Sequence, residues 1–191
     1  MGKTLFCVIG PSGSGKSTYV KYAISKLGYG EIISTTSRTP RSGEIDGKDY
    51  HFVSREQFES LEMIQRDEYA GNYYGTAKKD LDHAFSQSEY AFMVITYESS
   101  QYFKNMFKEK NMGIDVVTIF IHTPIEELEK RMILRGDDPL KIKERIENIV
   151  NRKEYENKDK VDFIFDVNTS SSIEEVCEDF ITLLNECTKE A

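Results

Sequence analysis

The chain has no tryptophan, three histidines, three cysteines and four prolines in 191 residues, and none of its apolar runs is long. Each scarcity excludes something. A membrane-spanning helix needs about 20 consecutive apolar residues, and the first apolar run, Leu5-Phe6-Cys7-Val8-Ile9, has neither that length nor the length of a secretory leader. Phe6 also breaks the myristoylation pattern that Gly2 would open. Cys7, Cys177 and Cys187 are odd in number and lack C-x-x-C spacing, which excludes a disulfide framework and a zinc site and leaves reduced packing thiols, as expected in a cytoplasm. Basic residues are also in deficit: 25 Lys and Arg against 33 Asp and Glu give a net charge of −8, the wrong balance for a general nucleic-acid or membrane-surface binder. Any anion this chain binds must be met by a local arrangement of cations. Repeats, low-complexity tracts and flexible linkers are missing too, so the length is read as one domain with insertions.

Against these absences stands one complete motif. Gly10-Pro11-Ser12-Gly13-Ser14-Gly15-Lys16-Ser17 matches G-x-x-x-x-G-K-[ST], directly after an apolar strand-like run and before a helical stretch. Gly10, Gly13 and Gly15 allow the backbone to approach phosphate oxygens without side-chain clash. The loop opens a helix near Lys16, where N–H groups and the positive end of the helix dipole favour an anion. In this pattern Ser12, Ser14 and Thr18 line the phosphates, Lys16 reaches the β and γ phosphates and the Ser17 hydroxyl ligates Mg²⁺. The site reads as one for ATP or GTP with Mg²⁺. A glycine turn that merely joins strand to helix is the plainer alternative.

Short apolar runs at Leu5–Ile9, Ile32–Ser34, Tyr90–Ile95, Val116–Ile121 and Phe163–Val167 read as strands buried on both faces, alternating with amphipathic stretches. The expected fold class is α/β, a parallel sheet of the P-loop NTPase type wrapped by helices. Helix starts are marked at Ser54, at Thr123 followed by Pro124 in the first helical position, and at Ser172. Two segments depart from the alternation, one from Thr35 to about Ser86 and one from Pro124 to about Lys160. They give a core of 1–34, 87–123 and 161–191, an acceptor-binding insertion at 35–86 and a helical lid at 124–160.

The first insertion opens with Ser34-Thr35-Thr36-Ser37-Arg38-Thr39-Pro40-Arg41 and continues through Glu44 to Tyr50. Guanidinium groups fork onto phosphate oxygens, and Pro40 restricts the backbone between two of them. Tyr50 and Tyr73-Tyr74 add hydroxyls or aromatic faces. Taken alone the segment is equally a solvated loop with scattered arginines; beside an intact phosphate loop it reads as a second phosphate site.

The phosphate loop, Ser-x-x-x-Arg-Thr-Pro-Arg-x-Gly-Glu-x-x-Gly-x-Asp-Tyr-x-Phe-Val and Gly71-Asn72-Tyr73-Tyr74-Gly75 stand in this order, and the chain thereby resembles the guanylate kinases over nearly its whole length. The resemblance implies that Ser34, Arg38, Arg41, Tyr50 and Tyr74 hold the phosphate of GMP, that Glu44 contacts the nucleotide nearby and that Thr76 lies beside guanine. It further implies that Arg131, Arg135 and Arg145 close over the transferring phosphoryl group and that Asn168 lies on the adenine side of ATP. On the plainer reading those three arginines decorate a solvated helix face.

The chain departs from the family pattern at the base. The family glutamate that faces guanine falls on Gln65, and an Asp-Ile-Asp becomes Val94-Ile95-Thr96, with Glu98 a substitute acid nearby. Gln65 and Thr96 still offer acceptors, though neutral ones. The expected function is phosphoryl transfer from ATP-Mg²⁺ to GMP or dGMP by a cytoplasmic monomer or weak homodimer, with no nucleic-acid or membrane partner. A kinase of the same fold for another phosphorylated acceptor is the alternative that Gln65, Val94 and Thr96 support. A non-catalytic interaction module of this fold is a third, although such modules typically have degraded phosphate loops.

Overall fold

The computed structural model describes residues 2–41 and 43–190, so Ser42 of the arginine motif and both terminal residues lie outside the described residues. It has the expected α/β class, with two sheets. Five strands run in the order β2 (Gly30–Glu31), β7 (Tyr90–Val94), β1 (Lys3–Ile9), β8 (Ile114–His122) and β9 (Phe163–Asp166). The β2–β7 and β8–β9 pairs are parallel. Four more strands run in the order β4 (His51–Phe52), β3 (Thr35–Thr36), β6 (Asn72–Thr76) and β5 (Gln65–Tyr69), antiparallel except between β3 and β4. The helices are α1 (Lys16–Leu27), α2 (Arg55–Ser60), α3 (Lys78–Gln87), α4 (Tyr97–Glu109), α5 (Ile125–Leu134), α6 (Pro139–Asn151) and α7 (Ile173–Glu190), with a 3₁₀ segment at Glu154–Lys160. None of them, among the described residues, is long and apolar enough to cross a membrane.

The chain divides into two compact units, one of residues 1–5, 28–93 and 98–116, the other of residues 6–27, 94–97 and 117–191. The first holds the four-stranded sheet and begins with a close approach. A Cβ on Gly30 would stand 2.3 Å from the Ala84 carbonyl oxygen, so only glycine lets β2 lie against α3. The expected strand Ile32–Ser34 is displaced. Ile32 donates one further bond to the Phe92 carbonyl at 2.9 Å, and Ser34 already accepts from His51 N–H at 2.9 Å, so these residues carry the chain out of one sheet into the other. Ser54 caps α2 as expected, with a reciprocal bond from its own N–H to Gln57 at 2.8 Å.

In the second unit β1 delivers Phe6–Ile9, each under 4 % exposed, to the phosphate loop. Tyr19 of α1 is fully buried against Phe165 and Phe180. Two expectations need correction here. The strand β9 is not buried on both faces, because it ends the sheet order and leaves Ile164 42 % exposed. Thr123 does not cap α5; Pro124 occupies the cap position without a side-chain bond, and the Thr123 hydroxyl donates instead to the Ser14 carbonyl at 3.3 Å. Position 123 is fully buried, and the loop carbonyl competes successfully with the helix for its hydroxyl. Ser172 does cap α7, accepting from Glu175 N–H at 3.3 Å while its own N–H donates to the Glu175 carboxylate at 2.8 Å.

Helices α5 and α6 pack through Leu128, Met132, Ile142 and Ile149, with Ile146 and Tyr155 against them. Asp138 caps α6 by accepting from the N–H groups of Leu140 and Lys141, and Pro139 starts the helix. The Tyr155 hydroxyl donates to the Thr123 carbonyl. Burial, then the charges of Glu126 and Glu154, push that phenol up to about 12, so it remains a donor throughout the physiological range.

Gly30→Ala forces a methyl group into backbone that cannot give way, and is expected to destabilise the fold by about 1–3 kcal/mol. Urea titration should show a lower midpoint at an unchanged slope.

Candidate active site

Loop residues 10–15 in the second unit are shaped by two sterically closed positions. A Cβ on Gly10 (φ +145°) would meet the Ile121 carbonyl oxygen at 2.7 Å, and one on Gly15 (φ +97°) would meet the Tyr19 ring at 2.7 Å. Both therefore need glycine for space as well as for dihedral freedom. The loop closes on itself through Ser14 N–H to the Pro11 carbonyl at 3.2 Å, and α1 starts with Thr18 and Tyr19 N–H groups on the Gly15 carbonyl. The Lys16 ammonium arches back to the Gly10 and Pro11 carbonyls at 2.7 and 2.8 Å, which sets its charge over the loop. Ser17 and Thr18 are exposed, Ser12 and Gly13 half-buried, and the Ser14 hydroxyl is buried without a hydrogen-bond partner. The first turn of a helix aims N–H groups along its axis, so this arrangement is a ready anion cradle.

Three arginines stand near α5 and α6. Arg131 extends from α5 to the Ser14 carbonyl at 3.5 Å and to Glu127 at 3.3 Å. Arg135, just past α5, forks onto Asp137 at 3.0 and 2.5 Å, and Arg145 of α6 donates to the same carboxylate. The hydrogen bond from Arg135, reinforced by Arg145, outweighs partial burial and holds the Asp137 carboxyl below its ordinary value. One acid thus gathers two of the three arginines. Asn168 is exposed beyond β9, its side-chain carbonyl accepting from Ser170 N–H at 3.1 Å.

The first unit gathers the arginine motif at one end of its own sheet. Arg38 forks onto Glu44 at 2.8 and 3.0 Å, and Glu44 also accepts from Arg41 N–H at 2.6 Å. Burial pushes the Glu44 carboxyl up, but these bonds outweigh it and hold the group below its ordinary value. The Arg38 guanidinium lies over the rings of Tyr50 and Phe52 at 5.4 and 5.7 Å, and Tyr50 meets Tyr74 edge-on at 6.0 Å. Desolvation raises the Tyr50 phenol, which stays protonated and able to donate. Ser34 is buried beside β3. Arg38, Arg41, Glu44, Tyr50 and Tyr74 are therefore brought into one cluster.

On the neighbouring strands Gln65 is opposite Thr76, with 7 % and 0 % exposure, and the Thr76 hydroxyl is buried without a partner. Gln65 Nε2 donates to Ser99 Oγ at 2.7 Å. Thr96 is half-buried in the turn between β7 and α4, a residue of the second unit, and Glu98 is exposed in the first turn of α4.

Residues 2–187 match the sequence model of the family described as Guanylate kinase. The chain belongs to the guanylate kinase family. It is 38 % identical over 194 residues to a guanylate kinase of Fusobacterium nucleatum, covering 97 % of each chain. It is 33 % identical over 186 residues to one from Thermus thermophilus, covering 94 % of this chain and 80 % of that one. The crystal structure of guanylate kinase from Anaplasma phagocytophilum superposes with a TM-score of 0.70 at 26 % identity, over 97 % of this chain and 86 % of the other.

Within this guanylate kinase family chain, three polar residues at the candidate site escaped sequence reasoning. Asp137 stands two residues from Arg135 and eight from Arg145, a spacing with no motif to mark it. Asp67 and Ser99 belong to a hydrogen-bond chain from Gln65 that joins β5 to α4 across 34 and 32 residues, which no sequence spacing marks.

Glu44 tests the arginine cluster. Because its folded carboxyl lies below the ordinary value of 4.5, its pairing stabilises the fold in full above that value and is lost as pH falls through the lowered one. Glu44→Gln should therefore be less stable than the unaltered chain near neutrality, and the two urea midpoints should converge in stronger acid.

Proposed function

We propose that this chain performs its family's reaction, ATP-dependent phosphorylation of GMP to GDP, with dGMP a second acceptor, on free nucleotides in a cytoplasm. What carries the reading is the presence in one chain of a sterically intact phosphate loop and an acid-braced arginine cluster of the acceptor type.

The phosphate loop from Gly10 to Thr18 holds the ATP phosphates through its backbone, and Lys16 turns from its carbonyls toward the β and γ oxygens. Asn168 borders the adenine. The acceptor phosphate lies on Arg38 and Arg41 with the hydroxyls of Ser34, Tyr50 and Tyr74, and Glu44 keeps Arg38 aimed. Gln65, Thr76 and Thr96 meet the base. An acceptor oxygen that is already anionic needs no general base, so the chemistry is positioning and charge neutralisation, with Arg131, Arg135 and Arg145 meeting the charge that develops on the transferring group.

Mg²⁺ fits this donor set. Among the described residues no group of three or more His, Cys, Asp and Glu side chains makes a cage, and Mg²⁺ is commonly held by few protein oxygens with phosphates and waters completing its octahedron. The Ser17 hydroxyl would hold it, and bound there the ion supplies Lewis-acid neutralisation of the phosphate oxygens.

A second reading keeps the fold and changes the acceptor, and Gln65, Val94 and Thr96 are its support. ADP release from ATP-Mg²⁺ against GMP, dGMP, IMP, AMP, CMP, UMP and ribose phosphates separates the two, with selective turnover of GMP and dGMP expected.

Lys16→Ala should abolish that turnover. Arg41→Ala should chiefly raise KM for GMP. Asp137→Asn, which frees two arginines to wander, should lower kcat by about tenfold or more with a smaller effect on KM, as loss of transition-state positioning does. Steady-state kinetics with both substrates varied checks all three.

A further inference from the structure

Guanine offers N1–H and 2-amino donors where adenine offers an acceptor at N1, so a pocket that prefers guanine must present acceptors. A glutamate does so in either orientation. A glutamine does so only if its amide is held one way round, because the other way round it presents donors suited to adenine. The position that faces the base, on the reading of function given above, carries Gln65.

Side chains of β5 alternate between faces, and its register with β6 sets Gln65 opposite Thr76 and Asp67 opposite Tyr74. Directly opposed residues share a face, so these four lie together. Tyr74 continues that face to Tyr50 and the Arg38 guanidinium. Behind Gln65 runs a hydrogen-bond chain: Gln65 Nε2 donates to Ser99 Oγ at 2.7 Å, and Ser99 Oγ donates to Asp67 Oδ2 at 2.9 Å.

The direction of this chain follows from counting protons. A carboxylate only accepts, and a serine hydroxyl has one proton. With that proton committed to Asp67, Ser99 turns a lone pair to Gln65, which must answer with its NH₂ group. We propose that Asp67, acting through Ser99, locks the Gln65 amide with its carbonyl turned to the acceptor base, and so makes a neutral glutamine select guanine over adenine. Asp67 is thus a specificity-setting positioning residue that touches Gln65 only through the serine. The partnerless Thr76 hydroxyl opposite Gln65 supplies a further group to the same base edge.

The test is kcat/KM for GMP, IMP and AMP, measured on the full chain with ATP-Mg²⁺. Asp67→Asn lets the new amide donate to Ser99, so that the serine proton can pass to Gln65 Oε1 and the amide can reverse. The GMP-to-AMP ratio is expected to fall about tenfold or more, the size of one lost hydrogen bond in discrimination. IMP should fall with GMP, while AMP turnover rises. Ser99→Ala should shift the ratio in the same direction, which keeps the test available if Asp67→Asn folds poorly by thermal melting. Adding Gln65→Glu to Asp67→Asn should restore the preference, since a carboxylate accepts either way round. A loss shared equally by GMP and AMP, a ratio unchanged to within about twofold, or failure of the rescue overturns the relay alone. Absence of GMP turnover in the unaltered chain overturns the functional reading beneath it as well.

Discussion

Everything at the glycine-rich loop of the second unit depends on room at the end of β1. A phosphate loop must expose backbone to its ligand, and here it does so only because two positions tolerate no side chain at all, one against the Ile121 carbonyl and one against Tyr19. The ring that closes Gly15 is itself pinned in the core by Phe165 and Phe180, so the conformation of an exposed loop is dictated by buried aromatic packing. The same loop then serves as an anchor. The Ser14 carbonyl receives both the Thr123 hydroxyl and Arg131, and Tyr155 holds the Thr123 carbonyl in turn. Loop, strand end, α5 and the 3₁₀ segment are therefore one connected polar structure.

In both units an acidic residue does the aiming. A chain with a surplus of eight negative charges that binds anions cannot rely on a diffuse positive surface. It relies on single carboxylates that fix particular guanidiniums: Glu44 for Arg38, Asp137 for Arg135 and Arg145, Glu127 for Arg131. Fixing a long side chain beforehand removes much of the entropy loss that binding would otherwise carry. Asp67 extends the same logic to a neutral group, directing a proton where the others direct a cation.

The sequence was most legible where the chemistry is contiguous. The glycines and lysine of residues 10–17 are consecutive and mark a loop between strand and helix, which stands between β1 and α1, and the Ser54 and Ser172 caps are read correctly because a capping box is closed within four residues. Legibility failed wherever a distant group competed. Thr123 has the signature of a helix cap and gives its hydroxyl to a carbonyl 109 residues away. Ile32–Ser34 has the composition of a buried strand, but Ser34 already accepts from His51 of the other sheet, so the pairing with β7 ends earlier. Ile164 is apolar and still exposed, because which strand ends a sheet is decided by topology and not by composition. Asp67, between Arg66 and Glu68, is one charge among several until β5 pairs with β6 and gives it a face.

The shared carboxylate of Asp137 gives the arginine pair an occupant of its own. Two guanidiniums that share one carboxylate are no bare dication, so an anion that comes to this pair enters by exchange. Exchange favours a ligand with more charge and more oxygens than a carboxylate and gives little advantage to a weaker anion. A pair arranged this way behaves as a small ion-exchange resin with a resident counter-ion, selective for strongly charged anions over lesser ones.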